Sequence, residues 1–194
     1  MRDPVAVQAA VEGLPPDWQE IDILINNAGL AVGRGPIQEG LLDDWEQMID
    51  TNVKGLLYMT RAVAPGMVAR RAGHIINVAS IAGKEVYPGG NVYCGTKHAV
   101  DALSRGMRID LLPYGIRVTN IAPGLVDTEF SVVRFKGNIQ MASAVYDRIQ
   151  PLTGRDVAEV IYYAASTPAH VCLNDIVITP TAQASTYDVY RGDK

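Results

Sequence analysis

The sequence contains little cysteine: Cys94 and Cys172 are the two among 194 residues. They lie far apart and belong to no Cys-x-x-Cys pair or cysteine–histidine cluster, which argues against both a disulfide scaffold and a zinc site. His74, His98 and His170 show no metal-ligand spacing either, so we expect no metal. Scarce, unpaired cysteine is typical of a reducing compartment, and we expect a cytoplasmic protein.

Long apolar runs and an excess of one charge are also absent. No stretch reaches the ~18 consecutive apolar residues of a membrane span, and we expect no targeting signal because no apolar core follows a basic start. The 17 basic and 21 acidic residues give a formal charge of −4 without long single-sign runs. We therefore expect neither nucleic acid nor a membrane as a partner, and a small-molecule substrate instead.

The residues that are present predict one α/β domain. A composition of 48% hydrophobic and 20% charged residues indicates a single globular domain over residues 1–194. Short apolar runs that end in turns predict buried strands at 21–25, 74–78 and 117–121, with a weaker strand at 176–178. Helical segments long enough for a crossover separate the strands, which predicts a doubly wound parallel sheet.

Two long helices are predicted between these strands, over residues 42–70 and 91–112. The first carries a stripe at spacings of three and four residues, formed by Trp45, Ile49, Asn52, Leu56, Thr60, Val63 and Met67. Residues 128–151 lack such periodicity, and we interpret them as a mobile loop over a site. This candidate lid contains Phe130, Arg134, Phe135 and Lys136.

Candidate functional residues follow the predicted strands. In an open α/β sheet the ligand crevice lies beyond the carboxyl ends of the strands. Residues 27–29, Ser80 and the pair Pro123-Gly124 each follow a strand, so we expect them along one rim. Asn52 lies on the apolar stripe of its helix, where an amide is a poor choice for packing unless its hydrogen bonds are used.

Tyr93 and Lys97 lie four residues apart at the start of the second long helix and therefore project from one face. A tyrosine has a reference pKa of ~10, and a nearby cation lowers it, so we expect Lys97 to lower the pKa of Tyr93. The Ser80 hydroxyl suits the task of holding the oxygen of an alcohol substrate. A lone Tyr-x-x-x-Lys is more often an exposed aromatic beside a solvated lysine.

Several motifs together resemble the classical short-chain dehydrogenase/reductase pattern in order and approximate spacing, across nearly the whole chain. They are Asn-Asn-Ala-Gly at 26–29, Asn52 within 51–55, Ser80, Tyr93-x-x-x-Lys97 and the segment 123–128. The resemblance implies a Rossmann-like sheet. It also implies that Tyr93 is the acid/base, that Lys97 lowers its pKa and binds the nicotinamide ribose, that Ser80 orients the substrate, and that Asn52 supports a proton-relay water.

The resemblance further implies a cofactor site and a reaction. Residues 27–29 would border the adenosine side of the dinucleotide, and 123–128 the nicotinamide carboxamide. The implied cofactor-binding residues are Asn27, Ala28, Gly29, Tyr93, Lys97, Pro123, Gly124, Val126 and Thr128. The amino-acid sequences of three segments, residues 14–18, 57–61 and 128–137, are similar to those of the NADP-dependent 3-hydroxy acid dehydrogenase subgroup. We therefore expect hydride transfer between NADP, with NAD as the other candidate, and a small 3-hydroxy acid.

Two features bear on the substrate and on assembly. Arg134 could clamp a substrate carboxylate through its planar fork, although an arginine in a polar loop is more often solvated. In the family the two long helices commonly form the subunit interface, so the resemblance implies a homodimer or homotetramer.

One family motif is absent from the sequence: the turn Thr-Gly-x-x-x-Gly-x-Gly, which binds the pyrophosphate with backbone N–H groups at a helix N-terminus. By resemblance the first three strands of the family are missing, so we expect a partial domain with an open apolar edge at 21–25. We also hypothesise that Met1 is not the native start. The alternative function is a non-catalytic fragment or pseudoenzyme that acts through oligomer contacts.

Overall fold

The computed structural model describes residues 1–192, in which helices and strands alternate. The elements are α1 (Pro4–Glu12), β1 (Ile23–Asn26), α2 (Leu42–Ile49), a π-helical segment (Asp50–Gly55), α3 (Leu56–Arg70), β2 (His74–Val78), α4 (Asn91–Leu111), β3 (Arg117–Pro123), β4 (Val126–Asp127), α5 (Phe130–Arg134), α6 (Ile139–Ala144), β5 (Leu152–Thr153), α7 (Gly154–Ser166) and β6 (Asp175–Ile178). Short 3-10 turns occur at Pro16–Trp18, Ile37–Glu39, Ile81–Gly83 and Leu112–Tyr114.

Four strands form one parallel sheet in the order β1-β2-β3-β6, and β4 pairs with β5 in a separate two-stranded ribbon. The predicted strands and their parallel pairing are confirmed. Asn26, Asn77 and Asn120 stand side by side in the register of β1, β2 and β3. Because this register aligns the carboxyl ends, the segments that follow the three strands meet at one edge of the sheet.

Both faces of the sheet are packed, because alternate residues of β2 enter different clusters. Ile75 packs with Leu24 and with Val63 of α3, in a cluster that also receives side chains from α4. Ile76 packs on the other face, against Val157 of α7. Each such side chain stabilises the fold by about 1.5–3 kcal/mol on burial. Helices on both faces of a parallel sheet confirm the predicted doubly wound α/β class.

The strand β1 lies at the edge of the sheet and pairs with β2 on one side. Its outward-facing residues Ile23 and Ile25 are 42% and 45% exposed. The prediction of an open apolar edge at this strand is confirmed, and such an edge offers unpaired backbone groups to another strand.

The continuous helix predicted over residues 42–70 is wrong at its centre, where the backbone forms a π-helix over Asp50–Gly55. The buried side chains here follow one another every four residues: Met48, Asn52, Leu56 and Thr60. This spacing exceeds the 3.6 residues of an α-helical turn, and a wider π turn keeps the four on one face. Ile49, which the predicted stripe included, is therefore 41% exposed.

The loop predicted over residues 128–151 is also wrong in part, because it contains the helices α5 and α6. Helices of five and six residues are too short to show an apolar period. The Asn138 side chain caps α6 by accepting the N–H of Met141 at 3.0 Å. Beyond these helices, Thr153 and Asp156 form a capping box at the start of α7.

Candidate active site

A cavity of about 1120 Å³ opens at the carboxyl ends of β1, β2 and β3. Most of the residues predicted to bind the cofactor line it, namely Asn27, Gly29, Lys97, Pro123, Gly124, Val126 and Thr128, and Ser80 lines it as well. Ala28, which lies between two of them in the chain, is exposed. The structure therefore gathers the predicted rim into one concave surface.

Tyr93 and Lys97 project from the first turns of α4, and both side chains are more than nine-tenths buried. Lys97 Nζ lies 6.0 Å from the centroid of the Tyr93 ring and donates a hydrogen bond to the backbone oxygen of Val78 at 2.9 Å. The ring of Phe130 packs against Tyr93 with a centroid distance of 5.6 Å. The predicted pair is thus brought together and fixed to the end of β2.

The electrostatics of this pair differ from the prediction. Burial raises the pKa of the Tyr93 phenol, and the neighbouring Tyr87 adds to the rise, while the Ser80 hydroxyl and the Arg134 guanidinium oppose it. The predicted net lowering of the Tyr93 pKa is therefore wrong, because burial outweighs the Ser80 hydroxyl and the Arg134 charge that oppose the rise. Burial also lowers the pKa of Lys97, to about 8.

Ser80 lies at the start of the turn that follows β2. Its hydroxyl donates to the backbone oxygen of Pro123 at 3.3 Å and accepts the N–H of Ala82 at 3.1 Å. Lys84, at the end of this turn, forms ion pairs with Asp101 of α4 and with Asp175 at the start of β6. These contacts fix the Ser80 turn against the helix that carries the tyrosine and lysine.

Asn52 is 2% exposed, and both the oxygen and the nitrogen of its side-chain amide form hydrogen bonds. Its Oδ1 accepts the N–H of Leu30 and its Nδ2 donates to the carbonyl of Leu30, both at 2.8 Å. The same Nδ2 donates at 3.0 Å to the hydroxyl of Thr96, which donates to the carbonyl of Tyr93. The side chain therefore holds the segment after β1 against α4. The proton-relay role implied for Asn52 stays a prediction.

The lining of the first cavity suits the nicotinamide half of a dinucleotide. A Cβ at Gly29 would lie 3.3 Å from Lys97 Nζ and 3.4 Å from Asn52 Oδ1, so a side chain at this position would crowd the approach to the ammonium. An ammonium offers three donors, which suits ribose hydroxyl oxygens. Pro123 and Thr128 border the same space. These residues fit the ribose and carboxamide end of the cofactor.

A second cavity, of about 660 Å³, adjoins the first, and Ser80, Gly124 and Arg134 line both. Tyr93 faces this second cavity, whereas Lys97 faces the first. Arg134 is not solvated as its loop position suggested: it donates to a tyrosine hydroxyl at 2.8 Å, and its Nε is buried without a hydrogen-bond partner among residues 1–192.

Sequence reasoning missed two residues of the second cavity, Tyr87 and Gln183. Gln183 is 5% exposed, and its Oε1 accepts the N–H of Leu125 at 2.8 Å, which ties the C-terminal segment to the turn after β3. A lone glutamine in a segment without periodicity gives no sequence signal. Tyr87 did have a sequence signal, since it is an aromatic residue in the glycine-containing turn that precedes α4.

Across residues 1–192, no helix is both long and apolar enough to cross a membrane. Within the same range, no three or more histidine, cysteine, aspartate or glutamate side chains are grouped so that they could hold a metal ion.

Comparison with known proteins places this site in a family. The family model described as "short chain dehydrogenase" matches residues 1–138. The NADP-dependent 3-hydroxy acid dehydrogenase YdfG of Escherichia coli strain K12 is 49% identical over 185 residues, which cover 95% of this chain and 75% of that protein. The NADP-dependent 3-hydroxy acid dehydrogenase of Schizosaccharomyces pombe is 44% identical over 186 residues, covering 96% and 72%.

Solved structures agree. The closed form of serine dehydrogenase complexed with NADP⁺ superimposes with a TM-score of 0.93 at 48% identity, covering 100% of this chain and 76% of that one. Serine dehydrogenase from Escherichia coli gives a TM-score of 0.81 at 44% identity, covering 94% and 74%. The relatives are longer than this chain, as the resemblance implied. By sequence, by fold and by the residues gathered at its site, the chain belongs to the short chain dehydrogenase family of oxidoreductases.

Proposed function

We propose that this chain transfers hydride between NADP and the alcohol or carbonyl carbon of a small 3-hydroxy acid. The observation that carries the proposal is the meeting of Ser80, Tyr93 and Lys97 where two cavities adjoin. The first cavity is lined by groups that suit a nicotinamide ribose, and the second contains a guanidinium. The coenzyme and the substrate class are those named for the two 3-hydroxy acid dehydrogenases above.

Tyr93 is the group that would move the proton. Because burial raises its pKa, the phenol keeps its proton at neutral pH and suits the donor role when a carbonyl is reduced. In the oxidative direction the same oxygen must accept the alcohol proton. The two cations beside the ring favour that state: Lys97 Nζ at 6.0 Å and Arg134 Cζ at 5.6 Å from its centroid.

The residues that would bind the cofactor line the first cavity, and those that would bind the substrate line the second. Lys97 and the open face at Gly29 would take the ribose, and Pro123, Gly124, Val126 and Thr128 the carboxamide end. The bound nicotinamide would supply the hydride chemistry, and the chain supplies position and charge. Ser80 would hold the substrate oxygen near the phenol, and Arg134 would bind the substrate carboxylate with charge-assisted hydrogen bonds.

Thermal unfolding of the purified chain with NADP and with NAD tests the proposal. A ligand that binds the folded state raises its stability, by about 2.7 kcal/mol at a hundred times its Kd. We expect stabilisation by NADP, followed by NADP reduction when 3-hydroxypropanoate is added. The substitution Gly29→Val should abolish the shift, because the added side chain meets the Lys97 ammonium.

Gly106→Val is the matched control, because a Cβ at Gly106 meets nothing within 4 Å. It should leave the NADP shift unchanged. A folded chain that is stabilised by neither nucleotide would contradict the proposal and support the non-catalytic fragment or pseudoenzyme. The homodimer or homotetramer and the cytoplasmic location stay predictions, and sedimentation of the purified chain would test the first.

A further inference from the structure

Arg134 stands between two phenol rings in the second cavity. Its Cζ lies 5.3 Å from the centroid of Tyr87 and 5.6 Å from that of Tyr93. Its Nη2 donates a hydrogen bond of 2.8 Å to the Tyr87 hydroxyl, whereas its Nε, also buried, meets no hydrogen-bond acceptor within residues 1–192. Arg134 lines the second cavity, where an anionic ligand would accept from guanidinium N–H groups that Tyr87 does not use.

The backbone of Arg134 is fixed from two sides. Its carbonyl accepts the N–H of Gly33 at 2.9 Å, and the next basic residue, Lys136, forms an ion pair of 2.9 Å with Asp44. The long side chain nevertheless retains several rotatable bonds, and ordering it costs rotamer entropy. The hydrogen bond to Tyr87 is the contact that selects one rotamer of the head group.

Tyr87 is itself held in place. A Cβ at Gly90 would come within 2.2 Å of the Tyr87 ring, so the ring packs directly against the glycine backbone. The N–H of Gly90 also donates to the Tyr87 carbonyl at 3.0 Å. A second guanidinium, that of Arg34, lies 5.9 Å from the ring centroid. The ring is therefore a fixed support between two cations at the wall of the second cavity.

We propose that Tyr87 is a specificity-determining residue that acts through Arg134. By accepting from Nη2, its hydroxyl holds the guanidinium at the wall of the second cavity, so that the N–H groups on the cavity side that Tyr87 does not use donate to the carboxylate of the substrate. The pair discriminates carboxylate substrates from neutral alcohols, because a neutral ligand leaves the guanidinium uncompensated. This proposal rests on the function proposed above for the same site.

A double-mutant cycle of Tyr87→Phe and Arg134→Met tests the coupling. The probe is propanoate, a carboxylate that has no hydroxyl to oxidise, with the neutral propanamide as its isostere, and binding is read by calorimetry. We expect Arg134→Met to weaken propanoate binding about 10–100-fold and Tyr87→Phe about tenfold. Because Tyr87 acts through the arginine, Tyr87→Phe should change binding less than about twofold in the Arg134→Met background.

Kinetics separate positioning from a general structural effect. With 3-hydroxypropanoate, Tyr87→Phe should raise KM with little change in kcat, and it should not change KM for 1-propanol. Tyr163→Phe is the matched control, because that side chain is 63% exposed on α7. It should leave both constants unchanged.

The outcomes are separable from the proposed function because propanoate binding needs no hydride transfer. Propanoate binding that follows the cycle, in a chain without turnover, would support the role of Tyr87 and count against the dehydrogenase activity. Additive effects of the two substitutions, equal loss of propanoate and propanamide binding, or no propanoate binding by the unmodified chain would each overturn the role of Tyr87.

Discussion

The cations at the two ends of the parallel sheet differ in how far their donors are hydrogen-bonded within the protein. At the amino end, Arg117 donates to the carbonyl and hydroxyl of Thr167 and to the carbonyl of Val171, at 2.7–3.0 Å. At the carboxyl end, Lys97 makes one hydrogen bond within residues 1–192, to the carbonyl of Val78, and it lines the first cavity. The first cation holds the chain together, whereas the second is buried with donors left over.

This difference teaches where function lies. A cation whose donors are hydrogen-bonded within the fold stabilises it, while a buried cation with unused donors destabilises it unless a ligand completes its partners. Substitutions at the carboxyl end should therefore remove activity without removing stability. Those at the amino end should do the reverse.

The largest expected effect is at the carboxyl end. Tyr93→Phe removes the proton that the phenol would donate, and we expect kcat/KM to fall by about 10²–10⁴-fold. Thermal unfolding should be nearly unchanged, since the hydroxyl adjoins a cavity. A variant that unfolds more easily but keeps its activity with NADPH and a semialdehyde would contradict this expectation.

Next in size is Arg117→Met at the amino end. The substitution removes the Arg117 donor from three oxygens near the end of α7, and we expect the free energy of unfolding to fall by roughly 2–4 kcal/mol. Urea unfolding measures this loss. At a temperature where the variant is folded, its KM for NADP should equal that of the parent chain. A raised KM would show that the amino end of the sheet also affects cofactor binding.

His74, at the amino end of the sheet, should make the stability of the chain depend on pH. Burial, with the charge of Arg117 adding to it, lowers the pKa of His74 from 6.5 to about 4. The unfolded chain therefore binds the proton first, and stability is lost as pH falls from about 6.5 towards 4, by up to roughly 3 kcal/mol. In His74→Gln the part of this loss of stability that is due to His74 should vanish, which urea unfolding at about pH 7 and about pH 4 would measure. If both chains lost the same free energy of unfolding between these pH values, His74 would not be the cause.

The smallest effect expected is a gain in stability. The pKa of Lys97 is lowered from 10.5 to about 8, so its charge costs free energy in the folded chain below pH 8, and the cost disappears as pH rises towards 10.5. Lys97→Met should stabilise the chain at about pH 7 by roughly 1–2 kcal/mol, with activity lost. The gain should shrink above pH 8; a less stable variant at pH 7 would show that the ammonium supports the fold.

The sequence was informative where local patterns determine the outcome. Apolar runs before turns predicted β1, β2, β3 and β6, and the carboxyl-end rule predicted that Ser80 and Pro123 would adjoin one cavity. The motif spacing predicted that Tyr93 and Lys97 would project together. Each of these depends on neighbours in the chain or on a general property of parallel sheets.

The remaining features depend on contacts between distant segments. The π turn at Asn52 arises where the amide reaches the backbone of Leu30 and the hydroxyl of Thr96, which no local pattern encodes. The raised pKa of Tyr93 depends on burial by several elements. The place of Arg134 depends on Tyr87, which lies in a different turn.

The most direct test of the account is isotope transfer at the carboxyl end of the sheet. The purified chain is incubated with NADP and 3-hydroxypropanoate carrying deuterium on its alcohol carbon, and the nucleotide is examined by mass spectrometry. We expect deuterium in the reduced nicotinamide with the unmodified chain and none with Tyr93→Phe. A folded, unmodified chain that yields no deuterated NADPH would contradict the claim that this end of the sheet is an active site.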